Sequence, residues 1–326
     1  MSERHAIERR LRALAEVGEI MASMKTLALL EAHRLARRLE HQRRVVAGIL
    51  TAADDFRRHF LLPAPETGTA PERATARLSQ TVTGPISGRG TDLSGQTGKT
   101  QRSPSAPRGQ GRQTYLVIGS ERGFCGGFNQ DLRQDLSARV RADEGPSPLL
   151  VAVGRRLWTG WEGAPVEPAA TLSGAVAGEE AEAVLTRVLD TLDRLQQAHG
   201  PLVLTVLHHA EEPAQTRATR LLPPFPDPPA GPAHASPPCL NLPPLALLPA
   251  LVEHYLLARL YELLYTSLLA ENRRRAEHLD GALHRIEHHS AALAIRRNAC
   301  RQEEITEEIE IILLGAEDSR RPRRLT

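Results

Sequence analysis

The chain has 326 residues, with 41 Lys+Arg against 39 Asp+Glu and a formal net charge of +2. The length suits one large domain or two modest ones, and 41% apolar with 25% charged residues is a globular composition. The near balance of charge argues against a general nucleic-acid binder, which needs a strong positive excess.

Three cysteines, Cys125, Cys239 and Cys300, stand far apart and are odd in number. They describe neither a disulfide framework nor a four-cysteine metal site, and a reducing compartment is expected. The N-terminal residues are charged, without the apolar core of a signal peptide. The most apolar run, Leu240 to Val252, is broken by Pro243, Pro244 and Pro249 and is too short to span a bilayer. A soluble, cytoplasmic chain is expected.

In chain order, residues 1–62 read as one long helix. Apolar residues recur in steps of three and four at Ile7, Leu11, Leu14, Val17, Met21 and Met24, then at Leu35, Leu39, Val46 and Ile49. At ~1.5 Å per residue such a helix is roughly 80 Å long, more than a compact domain covers, so it needs a partner helix. Residues 63–113 are rich in Gly, Ser, Thr, Pro and Arg, too poor in large apolar side chains to offset their ordering entropy. They are expected to form a flexible, low-complexity insertion.

Residues 114–212 read as an α/β domain. Tyr115–Gly119, Leu149–Val153 and Leu202–Leu207 are apolar runs suited to buried strands, and they alternate with helical stretches at 129–140 and 179–197. Residues 213–250 hold half of the chain's 24 prolines and are expected to be loop. From 251 to 326 the pattern is helical again, ending in a basic tail. Leu279, Leu283, Ile286, Ser290 and Leu293 form a heptad-type seam that Ile305, Ile309 and Ile312 renew. The economical arrangement is an antiparallel coiled coil of the two ends, with a Rossmann-like α/β domain at its side.

Motifs for chemistry are weak. Gly98-Lys99-Thr100 resembles the tail of a phosphate-binding loop, but Leu93 stands where its first glycine belongs. The run Gly119-Ser-Glu-Arg-Gly-Phe-Cys-Gly-Gly-Phe-Asn129 could present amides to an anion, or make a tight turn; the turn is the favoured reading, with Gly123, Gly126 and Gly127 shaping it. No motif ties a histidine or an acid to Cys125 as a nucleophile. His284 and His288 could ligate a metal from one helix face, but no third ligand is indicated and a solvated face is expected. Glu303–Glu304 and Glu307–Glu308 read as a charged face opposite Ile305 and Ile309. No cofactor, metal or catalytic residue is expected.

Three separated segments then carry a resemblance. Ile7-Glu-Arg-Arg-Leu11 with Ile20 and Met24-Lys25-Thr-Leu-Ala28 is similar to the opening helix of the gamma subunit of rotary F-type ATP synthases. Arg122-Gly-Phe-Cys-Gly-Gly-Phe-Asn129 resembles that family's Arg-Gly-Leu-Cys-Gly-Gly-Leu-Asn signature. Asn298 to Ile309, running on to Gly315-Ala316, looks like its closing helix with an Arg-Gln-x-x-Ile-Thr core. Leu247-Leu-Pro249 and Glu271-Asn-Arg-Arg-Arg275 fit the same alignment. There are departures: Glu121 stands where Asp is usual, Met21 where Thr is common, and Ile311 where Glu is often found. The insertion is long, and the tail passes the usual end. They mark a divergent branch, a sodium-translocating form or another.

The resemblance implies a central-stalk rotor without an active site of its own. It implies a coiled coil inside a ring of alpha and beta subunits, and an α/β domain on the membrane c-ring beside an epsilon subunit. It implies a peripheral position at the cytoplasmic face of a bacterial plasma membrane, reached only through the complex. It also implies that Met24, Lys25, Arg301 and Gln302 contact the alpha/beta ring. The remaining alternatives are a gamma-like coiled-coil scaffold without rotary coupling, and a nucleotide-binding enzyme using the Gly-rich turn.

Overall fold

A computed structural model describes residues 3–61, 111–143, 145–211, 215–225 and 237–320. The chain divides into two compact units, residues 1–28 with 275–326, and residues 29–274. Helices α1 (Glu3–Phe56) and α5 (Pro244–Arg320) each contribute to both. The rest of the helix predicted before residue 62 is a π-helical turn, Arg57–Leu61.

In the first unit the two helices pair antiparallel. Arg4 bonds Glu304 at 3.3 Å and Lys25 bonds Asp280 at 2.5 Å, so residue numbers rise on one helix as they fall on the other. Ile7 and Leu279 are buried, and Leu11, Leu14, Met21, Met24, Leu283, Ile286, Ser290 and Leu293 are half-buried between the helices. Val17, expected in this stripe, is exposed; Gly18 takes the seam position instead, where an added Cβ would lie 3.9 Å from Ile286 Cγ2. A straight helix drifts relative to a fixed repeat of steps of three, and here the drift moves the seam by one residue.

The second unit is a five-stranded sheet in the order β3-β2-β1-β4-β5, built from β1 (Arg112–Ile118), β2 (Leu149–Val153), β3 (Ala170–Leu172), β4 (Leu202–His209) and β5 (Thr216–Arg220). The first four are parallel and β5 runs antiparallel to β4. Successive strand residues face opposite sides, so the two apolar layers read directly from the sequence. Leu116, Ile118, Val151, Val153, Leu204 and Val206 pack on one face with Leu35 and Leu39 of α1, with α4 (Ala181–His199) and with α5. Tyr115, Val117, Leu150 and Ala152 pack on the other with Phe128, Leu132 and Leu136 of α2 (Phe128–Ala142) and Leu157 of α3 (Arg155–Trp158).

Helix α4 buries Ala181, Val184, Leu185, Val188, Thr191 and Leu192, one stripe with steps of three and four. Over residues 260–270 helix α5 is apolar nearly all round, with Leu260, Leu263, Leu264, Leu268, Leu269 and Ala270 all buried, because it passes through this core.

Three boundaries differ from the sequence reading. Arg112 and Gln113, assigned to the insertion, open β1, because they pair with Leu202 and Val203. The remainder of that insertion, with Gly98-Lys99-Thr100, lies outside the described residues. The proline-rich stretch is not all loop: Thr216–Arg220 forms an edge strand with Arg217 and Arg220 exposed and Thr216, Ala218 and Thr219 half-buried, and α5 begins at Pro244. Proline at a first helical position loses no hydrogen bond, and Pro249 stands one turn later, where Leu245 is exposed to water.

The terminal pairing gives a direct expectation. Replacing fully buried Leu279 by Ala should destabilise the first unit by about 2 to 5 kcal/mol, the cost of lost transfer energy plus a cavity. The same change at Ile295, 72% exposed, should do almost nothing. Amide hydrogen exchange over residues 3–28 and 275–300 reads both; equal effects would break the seam assignment.

Candidate functional site

Two kinds of site were read from the sequence, and they fall in different units. The first is the glycine turn after β1. Gly126 has φ +58°, a left-handed conformation that suits glycine, whereas Gly123 and Gly127 have ordinary van der Waals surroundings. Two glycines pressed against rigid neighbouring atoms were not singled out as such by sequence reading. A Cβ on Gly119 would lie 2.5 Å from Leu157 Cβ, and one on Gly154, at φ +100°, would lie 2.6 Å from the Gly119 carbonyl oxygen. The ends of β1 and β2 therefore touch backbone to backbone. The signal was present only as glycine directly after each apolar run.

Side chains tie the turn together. The Ser120 amide donates to Asn129 Oδ1 at 3.0 Å, Asn129 Nδ2 donates to Ser120 Oγ at 2.7 Å, and the buried Cys125 thiol donates to Ser120 Oγ at 3.3 Å. Cys125 is thus a packed, hydrogen-bonded thiol, with Phe128 and Leu132 in the same apolar cluster. Phe124 holds φ +63° with its ring 49% exposed.

Glu121, the family departure, does a specific job. Its carboxylate accepts the Arg155 amide at 3.0 Å, the Gly174 amide at 2.8 Å and Arg155 Nε at 2.6 Å, joining the loops after β1, β2 and β3. Burial alone would raise its pKa; the two amides and the guanidinium outweigh burial and hold it below the usual carboxylate value. An internal carboxylate thus occupies the C-terminal edge of the sheet, where open α/β sheets take anionic ligands.

Two histidines of β4 are buried behind the turn. His209 Nε2 bonds the Phe128 carbonyl oxygen at 2.8 Å, and the rings stack with centroids 3.9 Å apart. His208 bonds the His209 carbonyl oxygen and Thr219 Oγ1, at 2.9 and 3.2 Å. Burial is the main force pushing its pKa down, to about 4, and the nearby Arg259 and Arg217 charges push the same way.

The second site is on the paired helices. Lys25 is half-buried and bound to Asp280, whose carboxylate is held below its ordinary pKa chiefly by that bond. Met24 is half-buried beside it, while Arg301 and Gln302 are exposed. The two pairs are not brought together: Asp280 and Arg301 are 21 positions apart on one helix, about 30 Å along its axis. Ile305, Ile309 and Ile312, expected to renew the seam, are instead 45%, 52% and 70% exposed, and Ile311 and Leu313 are 69% and 61% exposed. The pairing Arg4–Glu304 sets the reason: beyond Glu304, helix α5 has no described α1 residue opposite it. His284 and His288 are exposed; His284 Nδ1 faces the Asp280 carbonyl oxygen at 3.0 Å, and its pKa is raised by that bond and by the Asp280 and Glu287 charges. Among the described residues no three metal-ligating side chains come together, and no helix is long and apolar enough to cross a membrane.

A family model described as ATP synthase matches residues 3–318. The chain belongs to the ATP synthase gamma family. It is 26% identical over 242 residues to the ATP synthase gamma chain of Mycolicibacterium paratuberculosis, covering 63% of this chain and 73% of that one. It is 29% identical over 220 residues to that of a Parafrankia species, with 63% and 72% covered. The fold is that of a chain in the Euglena gracilis mitochondrial ATP synthase assembly of OSCP, F1 and c-ring, at a TM-score of 0.56 and 13% identity over 99% of this chain and 98% of that chain. A chain of the same organism's rotor matches at a TM-score of 0.51 and 14% identity, with 93% and 98% covered. As a gamma chain it has an α/β domain whose glycine turn is built from internal bonds and from backbone approach.

Its acid response follows from two groups with opposite charges. Between pH 6.5 and about 4 the unfolded chain takes up a proton at His208 that the folded chain refuses, so stability falls as pH falls, by roughly 3 kcal/mol in total. Glu121 acts lower: its contribution is full above its unfolded pKa of 4.5 and is lost as pH drops through its depressed folded value. Urea midpoints from pH 7 to 4 should fall for the natural chain and flatten for His208→Gln; unchanged slopes would remove His208 from the account.

Proposed function

We infer that this gamma chain is the central-stalk rotor of a rotary F-type ATP synthase, coupling ion movement through a membrane ring to nucleotide chemistry at an alpha/beta ring. The observation that carries the reading is the family match over residues 3–318 on a chain whose helix α5 carries exposed apolar residues past its pairing with α1. Ile305, Ile309, Ile311, Ile312 and Leu313 form a patch that a free-standing chain would not leave in water. An enclosing ring of subunits would cover it.

Physically the chain acts as a cam. It makes different contacts with each of three chemically identical beta subunits, so identical sites hold nucleotide with different affinities. A rotor can shift such an equilibrium only by as much as its contact energy differs between states. Exposed Arg301 and Gln302, and half-buried Met24 at another level of the coil, are the proposed contacts. A guanidinium at 301 can make charge-assisted bonds to a carboxylate and release them in turn. Lys25 is also proposed as a ring contact, and its bond to Asp280 ties the two helices together beside Met24. The α/β domain is proposed to stand on the c-ring beside an epsilon subunit, placing the chain at the cytoplasmic face of a bacterial plasma membrane through the complex alone.

The purified chain should hydrolyse no ATP and should co-purify with alpha and beta subunits. In the assembled complex Arg301→Ala should leave folding intact and lower the ions moved per ATP hydrolysed. Hydrolysis and ion pumping measured side by side decide it. Failure to assemble would leave a scaffold with this fold, and unchanged pumping in Arg301→Ala with Gln302→Ala would remove the contact assignment.

A further inference from the structure

The α/β unit grips both helices in two ways, and they differ in directionality. One is apolar, the cluster of Leu35, Leu39 and the α5 leucines against the sheet. Apolar attraction follows buried area and is itself non-directional. The fit of ridges into grooves gives a preferred crossing angle, which directional polar bonds then fix more closely. The other grip is polar. Glu211, in the turn directly after β4, accepts Arg43 of α1 at 2.8 Å through Oε2 and Arg273 of α5 at 3.4 Å through Oε1. One residue along, Arg274 of α5 bonds Asp131 in the first turn of α2 at 3.2 Å. Inside, Ser267 Oγ donates to the Ile118 carbonyl oxygen at the end of β1, at 3.1 Å.

These bonds gather at the C-terminal ends of the strands: Ile118 closes β1, Glu211 follows β4, and Asp131 lies in the first turn of the helix after β1. Glu211 holds one arginine from each helix, so a single carboxylate ties α1 and α5 to the end of β4. Asp131–Arg274 ties the same stretch of α5 to α2. The ion pairs are half-exposed, with side-chain exposures from 26% to 49%, and such pairs contribute little to stability. Their placement therefore has its effect on angle.

We propose that Glu211 and Asp131, with Arg43, Arg273 and Arg274, form a torque key that fixes the angular position of the α/β domain on the helices when the rotor works against load. These are positioning residues. The proposal rests on the rotor reading, because only a loaded shaft needs such a key.

The test uses the assembled complex in sealed vesicles, with hydrolysis and ion pumping followed while an opposing ion gradient is raised. The neutral double variant Glu211→Gln with Asp131→Asn should melt within a few degrees of the natural chain and pump normally without a gradient. Against a high gradient, ions moved per ATP should fall by roughly half or more. Asp131→Arg alone should show the same load-dependent loss, and Asp131→Arg combined with Arg274→Asp should regain it. Pumping that falls equally with and without load, together with a lower melting temperature, would make these residues simple folding contacts and overturn the key. So would a load dependence unchanged from the natural chain. A natural chain that neither assembles nor pumps would instead overturn the rotor reading beneath it.

Discussion

A helix of 54 residues with one apolar stripe must have that stripe covered along its whole length, and the rest of the structure follows from how the covering is divided. From Ile7 to Ala28 the cover is helix α5, which presents Leu279, Ala282, Leu283 and Ile286. From Ala32 to Phe56 it is the sheet, α4 and the apolar first part of α5, and here the stripe residues Leu35, Leu39, Val46 and Ala53 are almost fully buried. The burial records the difference. A two-helix seam leaves its flanks in water and half-covers its residues, whereas a sheet-backed core encloses them.

What the sequence made legible was whatever depends on periodicity. The steps of three and four in α1, α4 and α5, and the unbroken apolar runs of β1, β2 and β4, revealed these elements, because burial on a face repeats with the backbone. Helix α5 nevertheless begins seven residues before its expected start at 251. What it hid depends on pairing. Thr216–Arg220 has no apolar signature and becomes a strand only because β4 offers an open edge. Ala170–Leu172 is three residues long and is fixed by its bonds to β2. Val17 and Gly18 trade places in the seam because a partner helix, absent from any single-helix pattern, decides which side is inside. At the tip, Ile305, Ile309 and Ile312 kept the right spacing but face water, since spacing says that a stripe exists and not what covers it.

The candidate sites divide in the same way. The glycine run was readable as a turn, while the carboxylate of Glu121 across three loops, and the glycine-to-glycine approach of residues 119 and 154, were not. Those contacts join positions more than thirty residues apart, and only the parallel sheet brings the ends of β1, β2 and β3 side by side. The Glu121 side chain is long enough to reach both the Arg155 and Gly174 amides, so one carboxylate joins three loops.

A rotor needs stiffness in angle more than it needs free energy of folding, and the two are supplied by different interactions. The leucine-rich bed holds the helices against the sheet strongly, through an attraction that is itself non-directional. The ion pairs at Glu211 and Asp131 add little to that hold, yet they are directional bonds. In the first unit Lys25–Asp280 and Arg4–Glu304 likewise join the two helices across a seam of leucine and isoleucine contacts. In both units apolar burial supplies most of the hold, and ion pairs add directional bonds between the elements. The residues that transmit torque would accordingly be sought among the half-exposed ion pairs, which a survey of stability alone would pass over.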